Sequence, residues 1–129
     1  MAHDRRRTSP RRITELAEDE VFVFGSNASG AHGAGAALTA YERFGAIWGQ
    51  GHGLQGQSYG IDTMSGWDAL VADVRDFLGF AREHPELTFL LTPVGTGIAG
   101  WSATEVAPLF AEAPDNVLLP ESFAALLDG

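Results

Sequence analysis

Two apolar runs stand out along the chain, and each ends in a loop that is rich in glycine. Residues 21–24 are an unbroken run of Val and Phe that leads into Gly25-Ser26-Asn27, and residues 87–94 form a second apolar run that leads into Gly95. Continuous apolar runs of this length are typical of strands buried on both faces of a parallel sheet. The pattern therefore predicts two central strands, each followed by a glycine loop.

Apolar residues at helical spacing predict the helices. Between residues 66 and 83 they recur every three or four positions and form one buried stripe, made of Trp67, Leu70, Val71, Val74, Phe77, Leu78 and Ala81. Residues 34–44 are predicted as a helix directly after the first glycine loop. Ser102 and Glu105 have the spacing of a capping box, which predicts the start of a third helix through residue 110. A final helix is predicted over residues 120–127, with Pro at its start.

The stretch from residue 45 to 60 is rich in Gly and Gln, yet apolar side chains interrupt it regularly. This pattern predicts short strands or a folded loop that lies close to a ligand. With a further short strand at residues 116–119, the order of elements predicts an α/β fold: a three-layer α/β/α sandwich with a central mixed, mostly parallel sheet. Ligands of such folds bind beyond the carboxyl ends of the strands.

The length and the charge distribution bound the domain organisation. A chain of 129 residues has room for one domain, which we assign to residues 13–129, preceded by a flexible basic segment over residues 1–12. That segment contains five of the eight Arg residues, whereas three Arg and sixteen acids follow from Ile13 onward, a formal charge of −13. An acidic body disfavours broad nucleic-acid binding by the folded part.

Several classes of protein are excluded by what the composition lacks. The chain contains no Cys, so disulfides, thiolate metal sites and Cys nucleophiles are ruled out. His32, His52, Asp62 and His84 show no clustered ligand spacing, so neither a metal nor another cofactor is expected. No apolar run approaches the roughly 20 residues of a membrane helix. A cytoplasmic protein without a membrane partner is the resulting expectation.

The two glycine loops predict a site for phosphate groups. Small residues before a helix let backbone N–H groups approach an anion closely, and the helix dipole adds roughly half a positive charge at that end. Because the chain has no Lys, main-chain amides are an economical way to hold a diphosphate. The alternative interpretation of each loop is a tight turn without a ligand.

The same loops carry a resemblance to the macrodomain family. Residues 21–27 with Gly33-Ala34-Gly35-Ala36-Ala37 resemble the macrodomain segment in which a strand ends in Asn and a glycine loop opens a helix. Residues 95–101 are similar to the second macrodomain loop. The likeness extends over residues 13–127 and is strongest to a compact macro-like branch found in bacterial and phage genomes.

The resemblance implies a protein that binds ADP-ribose or a related nucleotide diphosphate. It implies that Asn27 binds the distal ribose and that residues 33–35 lie along this ribose and the diphosphate. It also implies that residues 95–100 surround the phosphates and that Trp101 forms the wall of the site at the distal end. The implied ligand-binding residues are Ser26, Asn27, Gly33, Ala34, Gly35, Gly95, Thr96, Gly97, Ile98, Ala99, Gly100 and Trp101. The alternative role of Asn27 is that of a turn residue at a strand end.

Two departures from the family pattern leave adenine selectivity and catalysis open. Many macrodomains carry an Asp that recognises adenine where this chain has Arg12, and one hydrolytic class has an Asp in the first glycine loop, where this chain has Ala34 and Ala36. The remaining candidates for chemistry at the distal ribose are Asn27, Asp62 and His32, together with His52. Asp62 is alternatively a strand-end turn residue, and each His a surface loop residue.

Three functional hypotheses follow from these observations. The first is an ADP-ribosyl hydrolase acting on an ADP-ribosylated protein or nucleic-acid end, with water attacking the anomeric carbon. The second is a non-catalytic reader of ADP-ribose or a related nucleotide. The third is an interaction or assembly protein that has kept the fold and lost the ligand.

Overall fold

The computed structural model describes residues 8–128 as six strands, four helices and one 3₁₀ turn. The strands are β1 (Thr8–Ser9), β2 (Glu20–Ser26), β3 (Gly53–Gln55), β4 (Ser58–Asp62), β5 (Thr88–Leu91) and β6 (Val117–Pro120). The helices are α1 (Gly35–Arg43), α2 (Trp67–Glu83), α3 (Ala103–Val106) and α4 (Glu121–Asp128), and the 3₁₀ turn is Ala107–Phe110. Within this part of the chain, no helix has the length and apolar character needed to cross a bilayer.

The strands form one sheet in the order β1-β6-β5-β2-β4-β3. Every neighbouring pair is parallel except β3 with β4, which is an antiparallel pair closed by a short turn. Strand β2 lies between β4 and β5, so that Val23 is opposite both Tyr59 and Leu91. The predicted α/β class with a mixed, mostly parallel sheet is confirmed.

Helices cover both faces of the sheet around β2. Val21 and Val23 belong to the larger apolar cluster, which includes the buried side of α2. Phe22 and Phe24 belong to a smaller cluster with the buried side of α1. Successive side chains of a strand point to opposite faces, so α1 and α2 pack on opposite sides of the sheet. This explains why β2 is apolar at every core position.

The third helix follows the sequence prediction at its start and departs from it at its end. The Ser102 hydroxyl accepts a hydrogen bond from the backbone N–H of Glu105, whose side chain accepts from the backbone N–H of Ser102, so the capping box is present. The regular helix ends at Val106, however, and continues as the 3₁₀ turn. Pro108 provides the reason, because it has no backbone N–H to donate to the preceding turn.

Strand β1 lies inside the segment that the sequence assigned to a flexible basic terminus. Thr8 and Ser9 pair in parallel with Leu119 and Pro120 at the edge of the sheet. Ser9 is buried, and its hydroxyl donates a hydrogen bond of 2.7 Å to the carbonyl of Leu91. A two-residue polar strand has no periodicity to detect, so the pattern did not predict it. The rest of the predicted segment up to residue 7 lies outside the described residues.

Candidate functional site

A cavity of about 310 Å³ opens at the carboxyl ends of β2, β4 and β5. The three strands are parallel neighbours, so the loops that follow them meet at one edge of the sheet. The first turn of α1 forms the remaining wall. The lining residues are Gly25, Ala34, Gly35, Ala36, Ala37, Thr63, Thr92, Pro93, Val94, Gly95, Thr96, Gly97, Ile98 and Ala99. All of them are uncharged.

Helix α1 presents an uncapped N-terminus to this cavity. Its N-cap is Ala34, which has no side-chain hydrogen-bonding group, and its first turn contains no acidic residue. The first backbone N–H to donate a helical hydrogen bond is that of Leu38, which lies 3.2 Å from the carbonyl oxygen of Ala34. The N–H groups before it are therefore available to an anion, and the helix dipole favours negative charge at this end.

The loop over residues 95–100 contributes amides from the opposite side of the cavity. It is held in shape by hydrogen bonds from the N–H of Trp101 to the carbonyl of Gly95 and from Gly100 to Gly97, both at 3.0 Å. The N–H groups of Gly97 and Ile98 have no acceptor among residues 8–128. A side chain at Gly97 would meet nothing within 4 Å. Hydrogen bonds near its ends therefore fix the loop, while the backbone N–H groups at its tip remain available to a ligand.

The cavity brings together seven of the twelve ligand-binding residues that the resemblance implied, namely Ala34, Gly35, Gly95, Thr96, Gly97, Ile98 and Ala99. The other five, which are Ser26, Asn27, Gly33, Gly100 and Trp101, do not line it. None of the three catalytic candidates, Asn27, Asp62 and His32, lines it either. The two loops converge, whereas the side chains chosen for chemistry lie elsewhere.

The side chain of Asn27 forms hydrogen bonds within its own loop. Its Oδ1 accepts hydrogen bonds from the backbone N–H of Ala31 at 3.0 Å and from the hydroxyl of Ser29 at 2.8 Å. Its Nδ2 donates to the carbonyl of Ala31 at 3.0 Å. These bonds match the turn-forming role that was the alternative for this residue, and they stabilise the loop that precedes α1.

His32 is fully buried, so it is not the surface loop residue of the alternative interpretation. Its ring packs edge-on against Phe24 at a centroid distance of 5.3 Å, and its Nε2 lies 2.8 Å from the carbonyl oxygen of Ile47. A carbonyl only accepts, so Nε2 is the donor in this hydrogen bond and Nδ1 is the remaining ring nitrogen. Neither this Nδ1 nor the buried hydroxyl of Ser26 has a hydrogen-bond partner among the described residues.

Asp62 faces a second cavity of about 400 Å³ on the α2 side of β4. Its carboxylate accepts hydrogen bonds from the N–H of Met64 at 3.0 Å and from the hydroxyl of Ser65 at 2.6 Å, as a strand-end turn residue does. The same cavity contains Asp73, whose Oδ1 lies 3.4 Å from Nδ1 of His52. Burial raises the pKa of Asp73, although a hydrogen bond from the N–H of Asp62 and the nearby His52 oppose the shift.

Trp101 anchors the second loop to the core. Its ring packs against Trp67 at a centroid distance of 5.2 Å, and its indole N–H donates to the carbonyl of Thr63 at 3.4 Å. It also restricts the space at Gly95, where an added Cβ would lie 3.3 Å from the indole ring. Trp101 therefore positions both the loop and the end of β4.

The sequence prediction missed half of the cavity wall, namely Gly25, Ala36, Ala37, Thr63, Thr92, Pro93 and Val94. One signal was available, because Pro93 inside the second apolar run marks the end of a strand. Thr92 lines the cavity next to it and donates its hydroxyl to the carbonyl of Val23 at 2.7 Å. No sequence pattern indicated that Thr63 lines the cavity, because the pairing of β4 with β2 depends on long-range contacts.

Comparison of the chain with protein-family models, with curated proteins and with solved structures finds no match. Among residues 8–128, no three His, Asp or Glu side chains are grouped as metal ligands. The fold and the site define an α/β protein with an uncharged, amide-lined cleft at the carboxyl edge of a mostly parallel sheet.

Proposed function

We propose that the chain is a macrodomain-like protein that binds ADP-ribose or a related nucleotide diphosphate in the cavity between α1 and the loop over residues 95–100. One observation carries the proposal: open main-chain amides approach the same space from the N-terminus of α1 and from the tip of that loop. These two sets of N–H groups, one from the helix and one from the loop, suit the two phosphates of a diphosphate.

The electrostatics of the cavity support an anionic ligand. The body of the protein is acidic, yet no carboxylate lines this cavity. Hydrogen bonds from N–H groups to ionised phosphate oxygens are about twice as strong as those between neutral groups. A volume of about 310 Å³ is at the lower end of the range for small-molecule sites, which suits a diphosphate with one adjoining sugar.

The contacts of the candidate side chains favour the reader over the hydrolase. No titratable side chain lines the cavity. Asp62 is engaged in its own turn, and His32 is buried against Phe24 and hydrogen-bonded to Ile47. A hydrolase built on this site would have to rely on a substrate phosphate to accept the proton of the attacking water.

Calorimetric titration with ADP-ribose, ADP and inorganic phosphate tests the binding proposal. We expect ADP-ribose and ADP to bind, and inorganic phosphate to bind more weakly because it fills only half of the amide site. Saturation at 100 times the dissociation constant should also raise the free energy of unfolding by about 2.7 kcal/mol. If neither nucleotide binds, the proposal is wrong and the interaction-protein hypothesis stands.

A turnover assay separates the reader from the hydrolase. The protein is incubated with an ADP-ribosylated protein and with an ADP-ribosylated nucleic-acid end, and free ADP-ribose is measured. We expect binding without release. Release that is lost when the amide site is blocked by Gly97→Glu would instead establish an ADP-ribosyl hydrolase.

A further inference from the structure

A cavity of about 410 Å³ adjoins the proposed diphosphate site and shares Ala36, Thr92 and Pro93 with it. We name it the arginine cavity, because Arg11, Arg12 and Arg43 line it. The two cavities are therefore neighbouring parts of one cleft, one lined by uncharged residues of α1 and the loop and the other lined by three arginines.

The concentration of positive charge is exceptional for this protein. Residues 8–128 contain five Arg, and three of them line the arginine cavity. None of the five forms a salt bridge with a carboxylate of residues 8–128. The other two, Arg75 and Arg82, lie on α2, so the concentration of three arginines around one cavity of an acidic protein indicates a site for an anion.

The remaining walls of the arginine cavity suit the nucleoside end of a ligand. Ile13 provides an apolar surface next to the buried Phe22, and the hydroxyl-bearing residues Thr14 and Thr39 lie beside it. Guanidinium groups bind phosphate through paired N–H donors, which fits a phosphate better than a sugar hydroxyl. In dinucleotide-binding folds the same preference distinguishes a 2′-phosphate from a free 2′-hydroxyl group.

We propose that the arginine cavity binds an additional phosphate on the nucleoside ribose, so that the ligand is a phosphorylated nucleotide diphosphate. This inference rests on the proposed function, because it takes the diphosphate to lie on the amides of the adjoining cavity. The shared residues Ala36, Thr92 and Pro93 put one end of that diphosphate beside the arginines, and we assign the nucleoside to this end because Ile13 offers it an apolar surface.

The test compares the affinities of ADP-ribose and ADP-ribose 2′-phosphate by calorimetry at low and at physiological ionic strength. The variants are Arg12→Gln and Arg43→Gln, singly and together. The matched control is Arg75→Gln, an exposed residue of α2 that lies outside the arginine cavity. All three side chains are exposed, so these variants should keep the fold, which thermal unfolding checks.

We expect the wild-type protein to bind ADP-ribose 2′-phosphate at least about tenfold more tightly than ADP-ribose at low ionic strength, which is about 1.4 kcal/mol. The preference should shrink as salt is added, since exposed charges are screened. It should disappear in the double variant and persist in Arg75→Gln.

Other outcomes overturn the inference in distinguishable ways. Equal affinities for the two ligands contradict the inference alone and leave the proposed function intact. Absence of binding by both ligands contradicts the proposed function and the inference together. If a short single-stranded RNA binds through the same arginines while the preference for the 2′-phosphate is absent, the arginine cavity is part of a nucleic-acid surface instead.

Discussion

Two glycine-rich regions of the molecule use the absence of a side chain for opposite purposes. In the region over residues 45–60, a Cβ on Gly51 would collide with the backbone carbonyl of Asn27, and one on Gly56 would collide with the backbone of Gly45. In the loop over residues 95–100, a Cβ on Gly97 or Gly100 would meet nothing within 4 Å. Gly51 and Gly56 of the first region are therefore required where chain segments touch, whereas Gly97 and Gly100 of the second region leave the space beside the loop open.

The packed region supports the loop that precedes α1. The N–H of Gly49 donates to the carbonyl of Gly30 at 2.9 Å, which joins the two segments. The glutamines of this region are also structural, since Gln55 accepts from the N–H of Ile47 at 2.7 Å and is buried. Glycine richness in a sequence is therefore evidence of a ligand only where the space beside the glycine is open.

The largest effect is expected for Gly51→Ala, because the new methyl group would overlap the carbonyl of Asn27 and push the two segments apart. We expect a loss of about 2–4 kcal/mol in the free energy of unfolding, measured by urea denaturation. Gly97→Ala serves as the control and should unfold like the wild type. Equal stabilities of the two variants would contradict the distinction between the packed and open regions.

Gly97→Glu should weaken ligand binding without affecting stability. The substituted carboxylate would occupy open space beside the amides of the loop and repel the diphosphate. We expect at least about a tenfold weaker affinity for ADP-ribose, or about 1.4 kcal/mol, by calorimetry. Gly97→Ala should retain most of the affinity, and unchanged binding by Gly97→Glu would place the ligand elsewhere.

The packed region should also respond to alkaline pH, whereas the uncharged cleft should not. Burial, with the nearby Asp73 and Asp76, raises the pKa of Tyr59 from 10.0 to about 12. The folded protein keeps this proton longer than the unfolded chain, so the contribution of Tyr59 to stability is complete below pH 10 and is lost between pH 10 and 12. Urea denaturation across this range should show a smaller loss for Tyr59→Phe than for the wild type.

The smallest effect is expected where a glycine serves neither purpose. Gly79 lies in the middle of α2, and an added Cβ would meet nothing within 4 Å. Gly79→Ala should raise the free energy of unfolding by about 0.5–1 kcal/mol, because Ala loses less backbone entropy in a helix. Destabilisation of this variant, measured by thermal unfolding, would show a packing constraint that the structure does not contain.

Local pattern was sufficient for most of the larger elements and insufficient for the site. The continuous apolar run at 21–24, the stripe over 66–83 and the Ser102 capping box predicted β2, α2 and the start of α3, since each depends on neighbours in sequence. The contact of Gly51 with Asn27 depends on a segment 24 positions away, so no local pattern revealed it.

The end of β4 shows why the catalytic candidates were misplaced relative to the cleft. Asp62 was chosen because it is titratable, yet it lines the cavity on the α2 side, and the next residue, Thr63, lines the amide cavity. These two neighbours in sequence line different cavities, so a shift of one position decides which cavity a residue lines. His32 was likewise chosen by type, and only tertiary packing shows that it is buried.

The most direct test of the shared amide site is the change in backbone amide NMR signals when ADP-ribose is added to the ¹⁵N-labelled protein. We predict that the largest shifts occur at Ala36 and Ala37 of α1 and at Gly97 and Ile98 of the loop, in a single saturable process. Shifts confined to the cavity of His52 and Asp73, or to only one of the two predicted segments, would contradict the account.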